Sequence, residues 1–264
     1  MNDPLPGSEG GSSIRDDYER IFNERGDSYD RAMRLEPDAR RAEFENVLGL
    51  LDLRDGEWLC DMPSGGGYVH QYLGGRRVNV ISIETSRAFY DLCQRTPSIE
   101  RHLCALDATP LEAGRVDAVM SLAGLHHLRD RPAVYREAHR ILRPGGRIAL
   151  ADVRTGSTVD PFLNEFVHAN CSMGHDGNFL DDSTSSELET AGFDVEVFEM
   201  RRFAWRFGSA RAMAEYCRML FGIDRCGVDT VLEAIEQMLG YREVKGTCEM
   251  NWELLFVLAR KPLA

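Results

Sequence analysis

The sequence predicts an α/β fold, an open and mostly parallel sheet covered by helices on both faces. Three observations carry that expectation. Short apolar runs alternate with amphipathic helical stretches over most of the chain. A glycine-rich turn directly follows the first of those runs, and acidic residues stand at the ends of the next two. Strands that alternate with helices at this spacing indicate βαβ units.

Phe44, Val47, Leu48 and Leu51 fall at i, i+3, i+4 and i+7, which gives the N-terminal helical region, 14–55, one apolar stripe. Asp55-Gly56 then breaks the period. Trp58-Leu59-Cys60 reads as the first strand, and Tyr68 to Leu73 as the start of a helix. Val78 to Glu84 is a second strand and Arg87 to Arg95 a helix. A third strand is expected from His102 to Leu106, ending at Asp107, and a fourth from Val116 to Ser121. The next helix places Val134, Ala138, Ile141 and Leu142 on one face and stops at Arg143-Pro144-Gly145-Gly146. Arg147 to Asp152 is the fifth strand.

The stretch 155–182 is mixed. A helix near Ser185–Thr190 precedes a sixth strand from Phe193 to Met200. Two amphipathic helices follow, marked by Met213, Tyr216, Cys217 and Leu220 and by Val231, Ile235, Met238 and Leu239. Trp252 to Ala259 is a last apolar strand. Residues 14–264 therefore read as one domain with a helical cap insertion at about 201–245. Residues 1–13, rich in Gly, Ser and Pro, read as a disordered tail.

Among the 264 residues, 43 are acidic and 31 basic, a formal charge of −12. Such a surface disfavours nucleic acid and anionic membranes as partners. The seven cysteines (60, 93, 104, 171, 217, 226, 248) contain no C-x-x-C pair. That spacing argues against a disulfide framework and a cysteine zinc site, so no metal is expected and a reducing, cytoplasmic setting is. No apolar run reaches membrane length, and the first residues lack an apolar signal region. A small-molecule ligand is the expected partner, and a homodimer is compatible with the chain.

In an open parallel sheet, ligands sit beyond the carboxyl ends of the strands. The turn there is CDMPSGGG, Cys60 to Gly67. A dinucleotide fingerprint needs G-x-G-x-x-G, and P-S-G-G-G-Y lacks the third glycine. An S-adenosylmethionine (SAM) turn of the D-x-G-x-G-x-G type fits better, with Asp61 as its acidic start, Pro63 in place of the first glycine, and Gly65 and Gly67 as the other two. Proline lacks an amide N–H, so Gly65 and its neighbours must make the backbone approach. Glu84 follows Gly65 by 19 residues, at the end of the second strand, where a carboxylate can accept both ribose hydroxyls. Asp107-Ala108 ends the third strand, where an acidic side chain can accept from an adenine amino group.

The segment VDAVMSLAGLHHLRDRPAVYREAHRILRPGGRIALADV, Val116 to Val153, resembles the small-molecule, natural-product and sugar O-methyltransferase branch of class I SAM-dependent methyltransferases. So does CDMPSGGG followed by ISIETS and LDAT. The resemblance covers roughly Tyr18 to Phe193. It implies a Rossmann-like seven-stranded sheet with an antiparallel last strand and SAM as cofactor. It also implies that Ser64, Gly65 and the next helix start hold the methionine part, and that Glu84 binds the ribose. Asp107 and Ala108 would flank the adenine, Ser121 and Leu122 would lie near the methionine end, and Tyr29 would close over the cofactor.

An oxygen acceptor calls for proton removal near neutral pH, for which histidine is suited. His126 and His127 follow the fourth strand and Asp152 ends the fifth, and these three are the catalytic candidates; one histidine of the pair can equally brace its loop. Glu165, His168 and His175 lie in the mixed stretch and read as lid or surface. Arg201, Arg202 and Arg206 fit an anionic substrate or a solvated strand end alike. The leading expectation is methyl transfer from SAM to a small-molecule hydroxyl. The alternative is a SAM-fold natural-product cyclase or lyase that uses SAM without methylating.

Overall fold

The sheet is built from strands whose alternate side chains enter two different cores, as strands buried on both faces require. Leu59, Val80, Ala118, Met120, Ala149, Leu254 and Phe256 belong to one apolar cluster. Their neighbours Cys60, Ile81, Val119, Ile148, Leu150, Leu255 and Val257 belong to the other. A computed structural model describes residues 15–93 and 99–263. The expected tail at 1–13 and the expected helix end at Arg95 lie outside the described residues.

Two helices, α1 (Arg15–Leu35) and α2 (Arg41–Leu51), precede β1 (Trp58–Asp61). Then come β2 (Asn79–Glu84), α3 (Arg87–Leu92), β3 (Ile99–Leu103), β4 (Val116–Leu122), α4 (Arg131–Ile141) and β5 (Leu142–Asp152). The mixed stretch forms α5 (Val159–Pro161), a π-helical segment (Phe162–Val167) and α6 (His168–Asn170). After α7 (Ser183–Thr190) the chain runs through β6 (Asp194–Phe207), α8 (Ala210–Leu220), α9 (Val228–Met238), β7 (Tyr241–Val244) and β8 (Thr247–Arg260). Sheet order is β3-β2-β1-β4-β5-β8-β6, with β7 paired to β8 outside that path. β1 to β5 run parallel, whereas β8 is antiparallel to β5, β6 and β7.

The expected seven-strand, mostly parallel Rossmann-like sheet is present, with β7 as a short eighth strand. Several boundaries differ from expectation: the fifth strand begins at Leu142 and the last at Thr247, each five residues early. The third strand is Ile99–Leu103, not His102–Leu106, because this edge strand is only partly buried and carries no apolar run. The helix expected from Tyr68 is a single 3₁₀ turn, Tyr68–Tyr72. The sixth strand continues past Met200 to Phe207, since Trp205 and Phe207 turn inward while Arg202 and Arg206 pair outward with Glu253 and Glu249. Residues 201–207 and 241–244 are therefore sheet, and the helical part of the insertion narrows to α8 and α9.

Candidate active site

The turn after β1 is laced to the end of β2. Ser64 N–H donates to the Ile83 carbonyl at 3.0 Å, and Gly65 N–H donates to Glu84 Oε2 at 2.8 Å. Gly65 takes a φ of 54°, a left-handed conformation that glycine adopts without a Cβ clash. Glu84 Oε1 accepts the Thr85 and Ser86 amides at 2.7 and 2.8 Å, and the Tyr18 hydroxyl donates to Oε2 at 3.3 Å. Burial raises the Glu84 carboxyl to about 7, against the lowering pull of those backbone donors. Burial likewise pushes Asp61 well above its usual range, and the Glu84 charge adds to the shift.

A cavity of about 50 Å³ lies over this turn, lined by Asp61, Ser64, Gly65 and Leu122 together with Tyr18 and Tyr29 of α1. Ligand sites usually enclose several hundred Å³, so the cavity as it stands is smaller than a nucleoside-sized molecule needs. The residues present suit such a polar molecule. The Ser64 hydroxyl, on the cavity wall, is buried without a hydrogen-bond partner among the described residues, and it leaves a donor and an acceptor to offer a ligand. Glu84 adds a buried carboxylate.

Of the ten cofactor residues expected from the sequence, Tyr29, Asp61, Ser64, Gly65 and Leu122 line the cavity. Glu84 is bonded to its turn, and Ser121 precedes Leu122 on β4. Gly67 serves a different purpose. A Cβ there would stand 2.5 Å from Cys93 Sγ, so this glycine lets the turn pack on the end of α3. Asp107 and Ala108 are exposed in the loop after β3 and do not line the cavity.

A second cavity of about 50 Å³ adjoins the first, and Tyr29 and Ala123 contribute to both walls. It is lined by His126, His127 and His175 on one side and by Trp205 and Trp252 on another. His126 Nδ1 lies 2.7 Å from Asp152 Oδ1, and its backbone N–H donates to Oδ2 at 3.2 Å. Asp152 Oδ1 also accepts the Val153 amide at 2.8 Å. Asp152 accepts the two backbone amides, and its contact with Nδ1 leaves Nε2 as the His126 ring nitrogen outside this pairing. Burial pushes His127 and His175 well below the usual histidine range, and neighbouring His126 and Arg25 push the same way.

The three expected catalytic residues are thus together: His126 on Asp152, with the His127 ring 4.1 Å from the His126 ring. His175, read from the sequence as lid or surface, is buried beside them with its ring 5.4 Å from that of His126. The aromatic wall was not anticipated. Trp205 and Trp252 stack at 4.3 Å and 27°, and Trp205 Nε1 donates to Glu43 Oε2 at 2.8 Å. Glu43 in turn holds Arg40 in a buried ion pair. The period-2 alternation of Phe203, Trp205 and Phe207 was the available signal for that wall. No sequence feature pairs Glu43 with a residue 162 positions away.

Residues 60–150 match the family model described as a methyltransferase domain. The malonyl-[acyl-carrier protein] O-methyltransferase of Serratia marcescens is 27% identical over 137 residues, which cover 52% of this chain and 52% of that protein. The 27-O-demethylrifamycin SV methyltransferase of Amycolatopsis mediterranei is 34% identical over 119 residues, covering 41% of this chain and 43% of that one. The chain spans 35%, 52% and 66% of the lengths of the first three curated relatives it matches. Among solved structures, phosphoethanolamine N-methyltransferase 2 of Haemonchus contortus, in complex with phosphomonomethylethanolamine and S-adenosylhomocysteine, superposes with a TM-score of 0.62. That likeness is at 15% identity and covers 95% of this chain and 60% of that one. Residues 60–150 thus carry a methyltransferase domain, and the sheet order and the glycine turn tied to an acidic strand end agree with that match.

Proposed function

We propose that this protein transfers a methyl group from SAM to a hydroxyl oxygen of a small molecule. The observation that carries the proposal is the shared wall at Tyr29 and Ala123, which sets a cavity over the Gly65–Glu84 turn directly against the histidine cavity. Glu84 accepts the ribose hydroxyls once the Tyr18 hydroxyl withdraws. Ser64, Gly65 and Asp61 hold the methionine part, with Ser121 and Leu122 beside it, while Asp107 and Ala108 flank the adenine and Tyr29 closes over the cofactor. Gly67 acts only through the shape of the turn. Bound there, SAM supplies an electrophilic methyl group.

The acceptor enters the second cavity. Its hydroxyl meets His126 and His127, with Asp152 fixing the His126 ring, and these side chains assist loss of the hydroxyl proton. The Trp205–Trp252 face gives an apolar acceptor a flat surface. That one curated relative is named as an O-methyltransferase and another as the methyltransferase of a 27-O-demethylated rifamycin supports oxygen as the acceptor. Among the described residues no helix is long and apolar enough to cross a membrane.

The test is incubation with SAM carrying a labelled methyl group and a panel of hydroxylated small molecules, read by mass spectrometry. Labelled product and S-adenosylhomocysteine (SAH) in equal amounts support the proposal. Acceptor turnover without SAH would instead identify a cyclase or lyase and reject methyl transfer.

A further inference from the structure

His126, His127 and His175 come from two loops, the one after β4 and the one after α6, yet their donor nitrogens lie within 4.8 Å of one another. All three line the cavity assigned to the acceptor. We propose that these three imidazoles bind one divalent transition-metal ion of the zinc kind, with a fourth position open to the cavity. Three histidines and an open position form a familiar donor set for such an ion, and imidazole suits zinc better than magnesium or calcium. Tetrahedral Zn–N bonds put donor atoms about 3.4 Å apart, so the rings need to close only by about an ångström.

The surroundings are those of a held donor set. A metal-bound imidazole usually gives its other N–H to a carboxylate or carbonyl, which fixes ring and tautomer. His126 does this with Asp152 at 2.7 Å, and His175 Nδ1 does it with Asn164 Oδ1 at 3.0 Å. Both therefore present Nε2 to the cavity. Asn164 sits on the π-helical segment, and its amide also accepts Gly177 N–H at 2.7 Å and donates to the Gly177 carbonyl at 3.1 Å. The loop carrying His175 is further fixed to the loop carrying His126, because Asn178 N–H donates to the His126 carbonyl at 2.7 Å. Gly177 is required there, as a Cβ would stand 2.4 Å from the Phe179 ring and 3.0 Å from the His175 ring. Asp152 supplies a negative charge next to the ion, and Arg25, on the same cavity, supplies an opposing positive one. The cysteine spacing argues only against a cysteine zinc site, and the histidines converge only in three dimensions.

The role of the ion rests on the methyl-transfer reading; its binding does not. The acceptor hydroxyl takes the fourth position, its O–H bond breaks heterolytically, the proton passes to solvent water, and the electron pair stays on the metal-bound oxygen as the nucleophile. A bound metal lowers the pKa of a ligated hydroxyl in this way. His126 and His127 then promote proton loss as ligands, with Asp152 and Asn164 as positioning residues.

The experiment uses the full chain stripped with a chelator. It is dialysed against Zn²⁺ for stoichiometry and titrated with Co²⁺ for its visible spectrum, with SAH binding measured in parallel. We expect one equivalent of Zn²⁺ and a tetrahedral Co²⁺ spectrum lacking the thiolate charge-transfer band that a cysteine ligand would give. His175→Gln should lose at least tenfold in affinity and Asn164→Ala about tenfold, while His70→Gln leaves it unchanged. SAH affinity should be unaltered in all three, which separates this proposal from the cofactor reading. Asn164→Ala, which retains every ligand, guards against a His175 variant that fails to fold. Absence of Zn²⁺ uptake, thiolate ligation, or uptake unchanged in both the His175 and Asn164 variants overturns the proposal.

Discussion

The Glu84 carboxylate accepts the Gly65 amide at 2.8 Å, so the acidic end of β2 and the glycine turn after β1 form one hydrogen-bonded unit. That unit is buried, and burial raises the Glu84 pKa to about 7. A carboxyl whose pKa is raised on folding binds its proton more tightly in the native state. Its contribution to stability is therefore fullest below the unfolded value, about 4.3, and is lost as pH rises through about 7. Ribose hydroxyls donate to the ionised form, so cofactor binding runs the other way. Calorimetric titration with SAH should show affinity rising between about pH 6 and 8, by up to about tenfold per unit below the pKa. Glu84→Gln should abolish the dependence. A flat profile in the unaltered protein would reject Glu84 as the ribose acceptor.

Ser64 offers a hydroxyl that is buried without a partner among the described residues. A polar atom in that position costs stability when nothing binds it and repays when a ligand does. Ser64→Ala should leave the urea midpoint of the ligand-free protein equal or higher while weakening SAH binding by about 1 kcal/mol. Equal losses in both measurements would mark Ser64 as purely structural.

Gly67 separates the shape of the turn from contact with the cofactor. Its φ is 75°, and a Cβ would collide with Cys93 Sγ at 2.5 Å. Gly67→Ala should lower stability by about 1–3 kcal/mol. Pairing it with Cys93→Ala should recover the steric part and leave the backbone part, read by denaturant titration. No recovery in the double variant would refute the packing assignment.

Under the aromatic wall, Glu43 and Arg40 form an ion pair with side chains 0% and 4% exposed. Removing one partner of such a pair strands the other charge, at a cost of about 3–5 kcal/mol. Glu43→Ala should destabilise by that order and also release the Trp205 indole N–H, visible as a shift in tryptophan emission. A loss under 1 kcal/mol, about the size of an exposed pair, would contradict the buried assignment.

What was legible in the sequence was local. Gly65, Glu84, His126 and Asp152 stand at strand ends, and in a parallel sheet strand ends converge, so chain order alone implied their neighbourhood. β3 was misplaced because Ile99–Leu103 is a half-exposed edge with Glu100, Arg101 and His102 in its centre, whereas the apolar residues that follow belong to the loop. β6 was cut short because its arginines masked an alternating pattern. His175 could not be paired with His126 in advance, since a π-helical segment and a glycine-dependent loop bring it there. The Glu43–Trp205 bond joins the second helix to the sixth strand, a contact no periodicity encodes.

The central claim, that the Gly65–Glu84 turn holds SAM beside the histidine cavity, is tested most directly by a crystal structure of the protein with SAH bound. The account predicts the ribose hydroxyls on Glu84 with the Tyr18 hydroxyl displaced, the methionine part along Ser64 and Gly65, and the sulfur directed toward Tyr29, Ala123 and the histidine cavity. A bound molecule lying elsewhere, or one that leaves the Tyr18–Glu84 hydrogen bond intact, would contradict it.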